Sequence, residues 1–271
     1  MSSSSSAMPL RVRVLRSGSA GNAVLVEAAG ARVLVDAGLP AELLLREVDA
    51  AGPIPLAAIL LTHEHDDHVK GAASLARATG APVLLNEATL RACGESLAGA
   101  PLEVFRAHRP FAVGGIEVTP FPVPHDAAEP VGFVLVRDGA RAVVACDLGE
   151  VTDELVDHAR GADLLVIEAN YDVELLAVSP YPWFLKNRIA SPRGHLSNAA
   201  AARAAVAAAT GRLQTVHLVH LSEVNNLAPL ARDTVRAALA ADGLVAVRVE
   251  AVRPNAAGPW WPALPAGAPA G

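Results

Sequence analysis

Lysine is almost missing from this chain of 271 residues: Lys70 and Lys186 are the two present, and arginine carries the rest of the positive charge. The net charge of −6 excludes a general nucleic-acid coat, which is basic over most of its surface, but not a local basic groove. Cysteine is scarce as well. Cys93 and Cys146 lie far apart and match no CxxC or zinc-finger spacing, so two reduced, buried thiols are expected in place of a disulfide framework or a thiolate zinc site. No apolar run is long enough for a membrane span. The N-terminal MSSSSSAMPLRVRVL lacks the apolar core of a signal peptide. These absences predict a soluble, cytoplasmic protein that makes no membrane contact.

What the chain has is apolar substance. Such residues make up 52% of it, much of that alanine, and the length suits one large domain or two small ones. Strands are expected over LRVRVL from Leu10, then Ala23–Glu27 and Ala31–Val35, with a turn over Ser17–Asn22 and a hairpin turn at Ala29-Gly30. A helix fits Ala41–Ala50, opened by Pro40 and closed by Gly52-Pro53. Strand Ala57–Leu61 leads to one helix over DHVKGAASLARAT, stopped by Gly80, and then strand Pro82–Leu85. Further strands are expected at Leu102–Arg106, Ile116–Pro120, Val131–Arg137, Arg141–Cys146, Asp163–Glu168, Thr215–Val219 and Leu244–Val252. Helices are expected at Thr152–Ala159, Val173–Val178, Ser197–Thr210 and Ala228–Ala241. The expected layout is a Ser-rich tail over residues 1–8, one domain over 9–253, and a Pro/Gly/Ala-rich tail of little fixed structure over 254–271. Early strands followed by alternating helices and strands suit two mixed sheets packed face to face, with helices on both outer surfaces.

The stretch ILLTHEHDDHVKG at 59–71 crowds three histidines and three carboxylates behind an aliphatic strand. Desolvating those groups together is costly unless a cation compensates, and neutral imidazoles with ionised carboxylates are what a divalent metal takes as ligands. His63 and His65 form a natural pair on one ion, and Asp67 with His68 points toward a second. The alternative is a solvated helix start capped by Asp66 and Asp67. Three other positions suit further ligands. His125 lies in a turn-rich segment between strands, Asp147 follows the strand AVVAC, and His220 ends the strand TVHLVH. Asp147 serves equally as a helix cap. His217, three positions before His220, is expected on the opposite face of its strand, and His108 and His158 read as surface residues.

Seven segments carry a wider likeness: SGSAGNA (17–23), LVDAGL (34–39), LTHEHDDHVKG (61–71), VPHDAAEPVGF (123–133), EANYD (168–172), YPWFLKNRIASPRGHLSN (181–198) and HLSEVNN (220–226). Together they resemble the metallo-β-lactamase-fold hydrolases, and within them the YycJ/WalJ-like branch. The resemblance implies an α/β four-layer αββα sandwich and two divalent ions, Zn, Mn or Fe. His63, His65 and His125 would hold one ion, Asp67, His68 and His220 the other, with Asp147 bridging. Asp36 would orient the ligand loop from behind, a role no better supported by sequence than that of a turn residue before Gly38.

Two such ions, roughly 3.5–4 Å apart, share a hydroxide whose pKa has fallen toward ~7. On this view Asp67 and Asp147 are catalytic through the metals, and His195 binds phosphate or acts as general acid. Ser197 stands at the helix N-terminus beside it, where free N–H groups suit a phosphate. Lys186, Arg188 and Arg193, with no acid between Leu185 and His195, form either a phosphate-lined path or an ordinary solvated face. Asn226 is grouped with these positions.

The function expected is a phosphodiesterase, foremost a 5′-to-3′ exonuclease on single-stranded or end-exposed DNA, in DNA metabolism or repair. A small-molecule hydrolase on the same metals is the alternative: a cyclic-phosphate phosphodiesterase before a thioesterase or lactonase. The span from Asp147 to His195 is too short for an inserted RNA-gripping domain. With all seven ligand positions filled, a non-catalytic redox or metal-binding module is disfavoured.

Overall fold

The computed structural model describes residues 10–28, 30–209 and 211–262, and within them the strands assemble into two sheets. The first has the order β1 (Arg11–Arg16), β2 (Ala23–Ala28), β3 (Ala31–Val35), β4 (Leu56–Leu60), β5 (Val83–Asn86) and β6 (Leu102–Phe105). Its first three strands are antiparallel, and from β3 to β6 all pairs are parallel. The second sheet starts as the antiparallel meander β7 (Phe111–Val113), β8 (Ile116–Pro122), β9 (Val131–Arg137) and β10 (Ala140–Ala145). It continues in parallel through β11 (Leu164–Glu168), β12 (Thr215–Val219) and β13 (Arg248–Ala251). Parallel pairing needs a crossover, and helices supply it. The helices in chain order are α1 (Ala41–Ala50), α2 (Asp66–Val69), α3 (Ala72–Thr79), α4 (Glu87–Cys93), α5 (Asp153–Arg160), α6 (Val173–Val178), α7 (Trp183–Ile189), α8 (Asn198–Ala208) and α9 (Ala228–Ala241).

Three apolar layers hold these elements. Between the sheets, Val12, Val24, Val33 and Leu60 meet Phe133, Leu135, Val144 and Val166. Outside the first sheet, Leu44 and Val48 of α1 and Leu75 of α3 cover Leu25, Leu34 and Ile59. Outside the second, Leu155 of α5, Ala201 and Ala205 of α8, and Val235 and Leu239 of α9 cover Val143, Leu165 and Val216. The result is the expected αββα sandwich. Strands buried on both faces explain the unbroken aliphatic runs LAAIL of β4, AVVA of β10 and LLVI of β11.

Several elements differ from expectation. The helix expected after His65 is two helices, parted at Gly71, whose N–H donates to the Ala37 carbonyl at 2.7 Å. A Cβ there would stand 2.0 Å from the Leu39 carbonyl oxygen, so the close approach demands glycine. The last strand begins at Arg248 and not Leu244, because a turn through Gly243 (φ 74°) follows α9. β7, α4 and α7 were not expected. α4 forms because Asn86 caps it, accepting from the Thr89 N–H at 2.8 Å.

The segment after Arg253 is also corrected, as far as it is described. Residues 258–261 lie along β1: Val12 and Trp261 exchange backbone hydrogen bonds of 2.7 and 2.8 Å, and Gly258 N–H donates to Val14. Trp261 is buried in the inter-sheet layer, and the Arg11 guanidinium sits 4.3 Å over the Trp260 ring. The rest of that tail, and the N-terminal Ser-rich tail, lie outside the described residues. Because the strap covers the open edge of the first sheet, Trp261→Ala is expected to cost about 3–5 kcal/mol. Denaturant unfolding checks this, and a change below about 1 kcal/mol would show that the strap does not contribute.

Candidate metal centre

The loops that leave β3, β4, β10 and β12 meet at one edge of the sandwich, as ligand loops do at the carboxyl ends of parallel strands. Three residues there hold left-handed backbone conformations that non-glycine residues rarely adopt: Asp36 (φ 61°), Asp147 (φ 50°) and His220 (φ 55°). Each ends a strand, and each turns its side chain into the same buried cluster. Strain of this kind persists only where surrounding contacts fix it.

His63, His65, His125 and Asp147 converge. His63 Nε2 is 3.0 Å from His65 Nδ1 and 3.6 Å from Asp147 Oδ2; His125 Nε2 is 3.4 Å from His65 Nδ1 and 3.7 Å from Asp147 Oδ2. Ligand atoms about 2.0–2.1 Å from a tetrahedral metal stand roughly 3.4 Å apart, so this spacing suits one. Asp67, His68, Asp147 and His220 form the adjoining set. His68 Nε2 lies 3.2 Å from Asp147 Oδ2 and 3.6 Å from Asp67 Oδ2, and His220 Nε2 lies 3.6 Å from the same Asp67 oxygen. Asp147 belongs to both sets. Nε2 of His220 is buried without a hydrogen-bond partner, and Asp147 Oδ1, though 2.7 Å from His220 Nδ1, makes no well-directed hydrogen bond. Donor atoms left poorly satisfied on two ligands, in a cluster of imidazoles and carboxylates, fit a metal centre.

Contacts behind the ligands fix which nitrogen faces inward. Asp36 Oδ2 takes the His68 Nδ1 proton at 2.7 Å, and Asp36 also accepts from the Thr62 N–H and hydroxyl. Thr62 Oγ1 in turn takes His63 Nδ1–H at 2.9 Å, and the Gly194 carbonyl takes His125 Nδ1–H at 3.0 Å. Each pairing turns Nε2 to the centre, as the nitrogen that can bind a metal once it carries no proton. Asp36 therefore fixes the His68 ring and the start of the Thr62 loop; it is not a plain turn residue. Gly38 lets the two loops touch, since a Cβ there would stand 1.6 Å from the Asp67 carbonyl oxygen.

Two residues of the site carried no role in the sequence reading. Glu168, at the end of β11 and fully buried, accepts from His195 Nδ1 and His220 Nδ1 at 2.7 Å each through Oε1. Its Oε2 accepts from the Leu148 and Leu196 N–H groups at 3.1 Å each. Asn22 points its amide at Asp67 Oδ2 (3.2 Å) and His68 Nε2 (3.0 Å). Both lie in segments that carried the family likeness, which was the available signal.

The remaining assignments separate. His195 lines an open cleft of about 480 Å³ together with His65, Asp67, His125, Asp147, His220 and Arg188. Lys186 does not reach that cleft; its ammonium donates to the Ala177 carbonyl. Arg193 works from behind, donating to the His125 carbonyl, and Arg188 pairs with Asp126 at 2.7 Å. Ser197 caps α8 through the Ala200 N–H. Asn226 is buried away from the cleft and pins the loop after β11 by bonding the Ala169 and Asn170 carbonyls and Asn198. The cationic strip expected to line the site thus reduces to Arg188. His217 is buried on the other face of β12, where burial alone pushes its pKa down to about 4. His108 is exposed, but His158 is partly covered by Phe121, and the two share Glu154.

Charge follows the same geometry. Burial, with neighbouring imidazoles, holds His63 well below its usual pKa. Burial also lowers His68 and His220, but the carboxylates around them outweigh it and raise both well above the ordinary value. Burial raises Asp147, yet His220 and His68 hold it well below the carboxylate range. A metal must displace the protons that His68 and His220 retain, so affinity is expected to rise with pH through neutrality as those protons leave. Calorimetric titration with Zn or Mn in buffers of different ionisation enthalpy measures the release, and no proton release at pH 7 would contradict it.

A Beta-lactamase superfamily domain model matches residues 31–218. The chain is 37% identical over 242 residues to the exodeoxyribonuclease YycJ of Bacillus anthracis, covering 87% of this chain and 91% of that protein. It is 37% identical over 230 residues to the exodeoxyribonuclease WalJ of Streptococcus pneumoniae, covering 82% and 85%. Among solved structures, the metallo-β-lactamase fold protein YhfI from Bacillus subtilis superposes with a TM-score of 0.72 at 18% identity, over 93% of this chain and all of that one. A diphosphatase of the PhnP family follows with 0.65 at 21%, over 92% and 97%. Both share the fold.

Proposed function

This chain belongs to the metallo-β-lactamase superfamily as a metal-dependent hydrolase, and from that premise we propose that it is a 5′-to-3′ exonuclease on DNA. The observation that carries the substrate class is the 37% identity, over 87% of the chain, to a relative named exodeoxyribonuclease. A DNA substrate also fits the cytoplasmic placement and the role in DNA metabolism or repair expected from the sequence.

Two divalent ions, Zn, Mn or Fe, fit the two donor sets: His63, His65 and His125 with Asp147, and Asp67, His68 and His220 with Asp147. When bound they supply an acidified water as nucleophile and neutralise charge building on the phosphate. The protein's own groups do the rest. Asp36 and Glu168 hold His68 and His220 with Nε2 facing inward. Glu168 also takes Nδ1–H of His195, which leaves Nε2 of that ring for the cleft. Burial lowers the His195 pKa, but Glu168 outweighs it and raises it, so the ring holds a proton at Nε2 to higher pH than an ordinary imidazole does. His195 passes that proton to the leaving oxygen, or donates it as a hydrogen bond to a phosphate oxygen. Arg188 stands at the cleft as a cationic contact for the scissile or neighbouring phosphate.

Metal-loaded protein is expected to shorten a 5′-phosphorylated single-stranded oligonucleotide from its 5′ end, with Asp147→Asn inactive. An intact oligonucleotide from fully loaded protein would overturn the reading. The net charge of −6 favours the alternative, a small or cyclic phosphodiester, which would then be tested.

A further inference from the structure

Of the residues that line the metal cleft, Ser19 carries the one hydroxyl, and nothing in the metal centre uses it. It lies in the loop 17–22, between β1 and β2. The Gly21 N–H donates to the Gly18 carbonyl at 2.9 Å, which closes a four-residue turn with Ser19 and Ala20 at its centre. Neither central residue has a positive φ, so the turn is type I. Its two central N–H groups point the same way, as they do in the first turn of a helix. Among the described residues, those two N–H groups and the Ser19 hydroxyl have no hydrogen-bond partner, and both residues are exposed.

The loop is anchored on the second donor set. At its start, Ser17 Oγ accepts from the His220 N–H. At its end, the Asn22 N–H donates to the Asp67 carbonyl at 2.8 Å, while its side-chain amide reaches Asp67 Oδ2 and His68 Nε2. Asn22 Oδ1 also takes the Gly18 N–H at 2.9 Å. Gly21 passes so near the following loop that a Cβ would stand 2.4 Å from the Gly38 carbonyl oxygen. The turn is thereby fixed relative to Asp67, His68 and His220, and donors fixed in advance need no reorganisation when charge arrives. Free N–H groups on one turn form a concavity that takes an anion. An anion entering this cleft also meets the carboxylates of Glu64 and Asp66, which oppose it, so donors of the chain's own matter there. Arg188 is tied to the loop of His125 and the turn to Asp67 and His220, so each donor set has such a group beside it.

We infer that the turn from Gly18 to Gly21 is a phosphate seat: the Ser19 hydroxyl and the N–H groups of Ser19 and Ala20 hold non-bridging oxygens of the phosphodiester in the cleft. The inference rests on the phosphodiesterase part of the proposed function and adds a binding contact that no metal supplies. It applies alike to a DNA backbone and to a small phosphodiester.

Three variants grade the contact. Ser19→Thr keeps the hydroxyl, Ser19→Ala removes it, and Ser19→Pro removes the N–H as well, at the turn position that proline favours. Metal-loaded proteins are compared on 5′-phosphorylated DNA and on bis(p-nitrophenyl) phosphate, with metal content and Tm measured alongside. KM is expected to rise about ten-fold in Ser19→Ala, where a hydrogen bond to a charged group is lost, and further in Ser19→Pro. Ser19→Thr is expected to stay near the parent value, and all three to keep kcat, metal content and Tm. An unaltered KM in Ser19→Pro would overturn the seat. So would a loss in Ser19→Thr equal to that in Ser19→Ala, or a loss that follows lowered metal content, which would make the loop only a support for the ligands. A KM effect on bis(p-nitrophenyl) phosphate with DNA left intact keeps the seat and removes the exonuclease reading. DNA shortening with no KM effect leaves that reading standing without the seat, and cleavage of neither substrate removes both.

Discussion

Glu168→Gln is expected to cripple the enzyme although it removes no metal ligand and changes no volume. Glu168 is fully buried among four donors: Oε1 takes two imidazole N–H groups and Oε2 takes two backbone N–H groups. Glutamine must turn an NH₂ toward one of those pairs. The backbone amides of Leu148 and Leu196 cannot reverse, so the NH₂ faces the imidazoles. His220 and His195 must then accept at Nδ1 and move their protons to Nε2. For His220 that atom is the one turned toward Asp67, so the ligand loses its lone pair. For His195 the charged form loses the carboxylate that stabilises it.

Loss of an orienting carboxylate of this kind costs about 10–100-fold in metal affinity. Loss of a general acid costs a further ~10²–10⁴ in rate. The combined result is metal binding at least ten-fold weaker, and turnover at saturating metal lower by about a thousand-fold. Metal titration and single-turnover kinetics separate the two. Normal metal affinity with normal turnover would mean that the Glu168 contacts do not set the tautomers.

That Glu168 escaped the sequence reading has a physical cause. LLVIE looks like any buried strand that ends at a charged residue, and the donors that saturate the carboxylate come from three other segments. The seven ligand candidates were legible because six ionisable groups within six positions, straight after an aliphatic strand, have no inexpensive structural explanation. His125, Asp147 and His220 stood at strand ends, where open sheets gather ligands. The layers were legible for a similar reason, since period and length mark buried strands well.

The cationic strip misled because charge in sequence does not say which way a side chain turns. Lys186 and Arg193 end on carbonyl oxygens, and only Arg188 reaches the cleft. Asn226 misled similarly, as a polar residue in a family-like segment that proves to be pinning a loop. The strap at Trp260 and Trp261 was hidden by its composition. Proline, glycine and alanine read as a tail, whereas docking depends on the open edge of β1, which no local pattern reveals.

Stripping the metal is expected to lower stability sharply, and Asp147→Asn is expected to abolish that difference. Metal-free protein keeps His220 Nε2 buried without a partner, Asp147 Oδ1 buried with only a poorly directed contact to His220 Nδ1, and three strand-end residues in left-handed conformations. A ligand that binds only the folded chain stabilises it by about 4 kcal/mol at a thousand-fold excess over Kd. For a chain of this length that is a rise in Tm on the order of 10 °C. Chelation followed by readdition of Zn or Mn measures it. Asparagine is a fair substitute at position 147 because it tolerates the left-handed conformation nearly as well as any residue but glycine. The backbone cost is therefore unchanged, and what is lost is the charge common to both donor sets. A variant whose Tm no longer responds to metal assigns the stabilisation to Asp147 as the shared ligand. A full response in Asp147→Asn would mean that the two donor sets bind independently of it, and that the convergence on this carboxylate is a matter of packing.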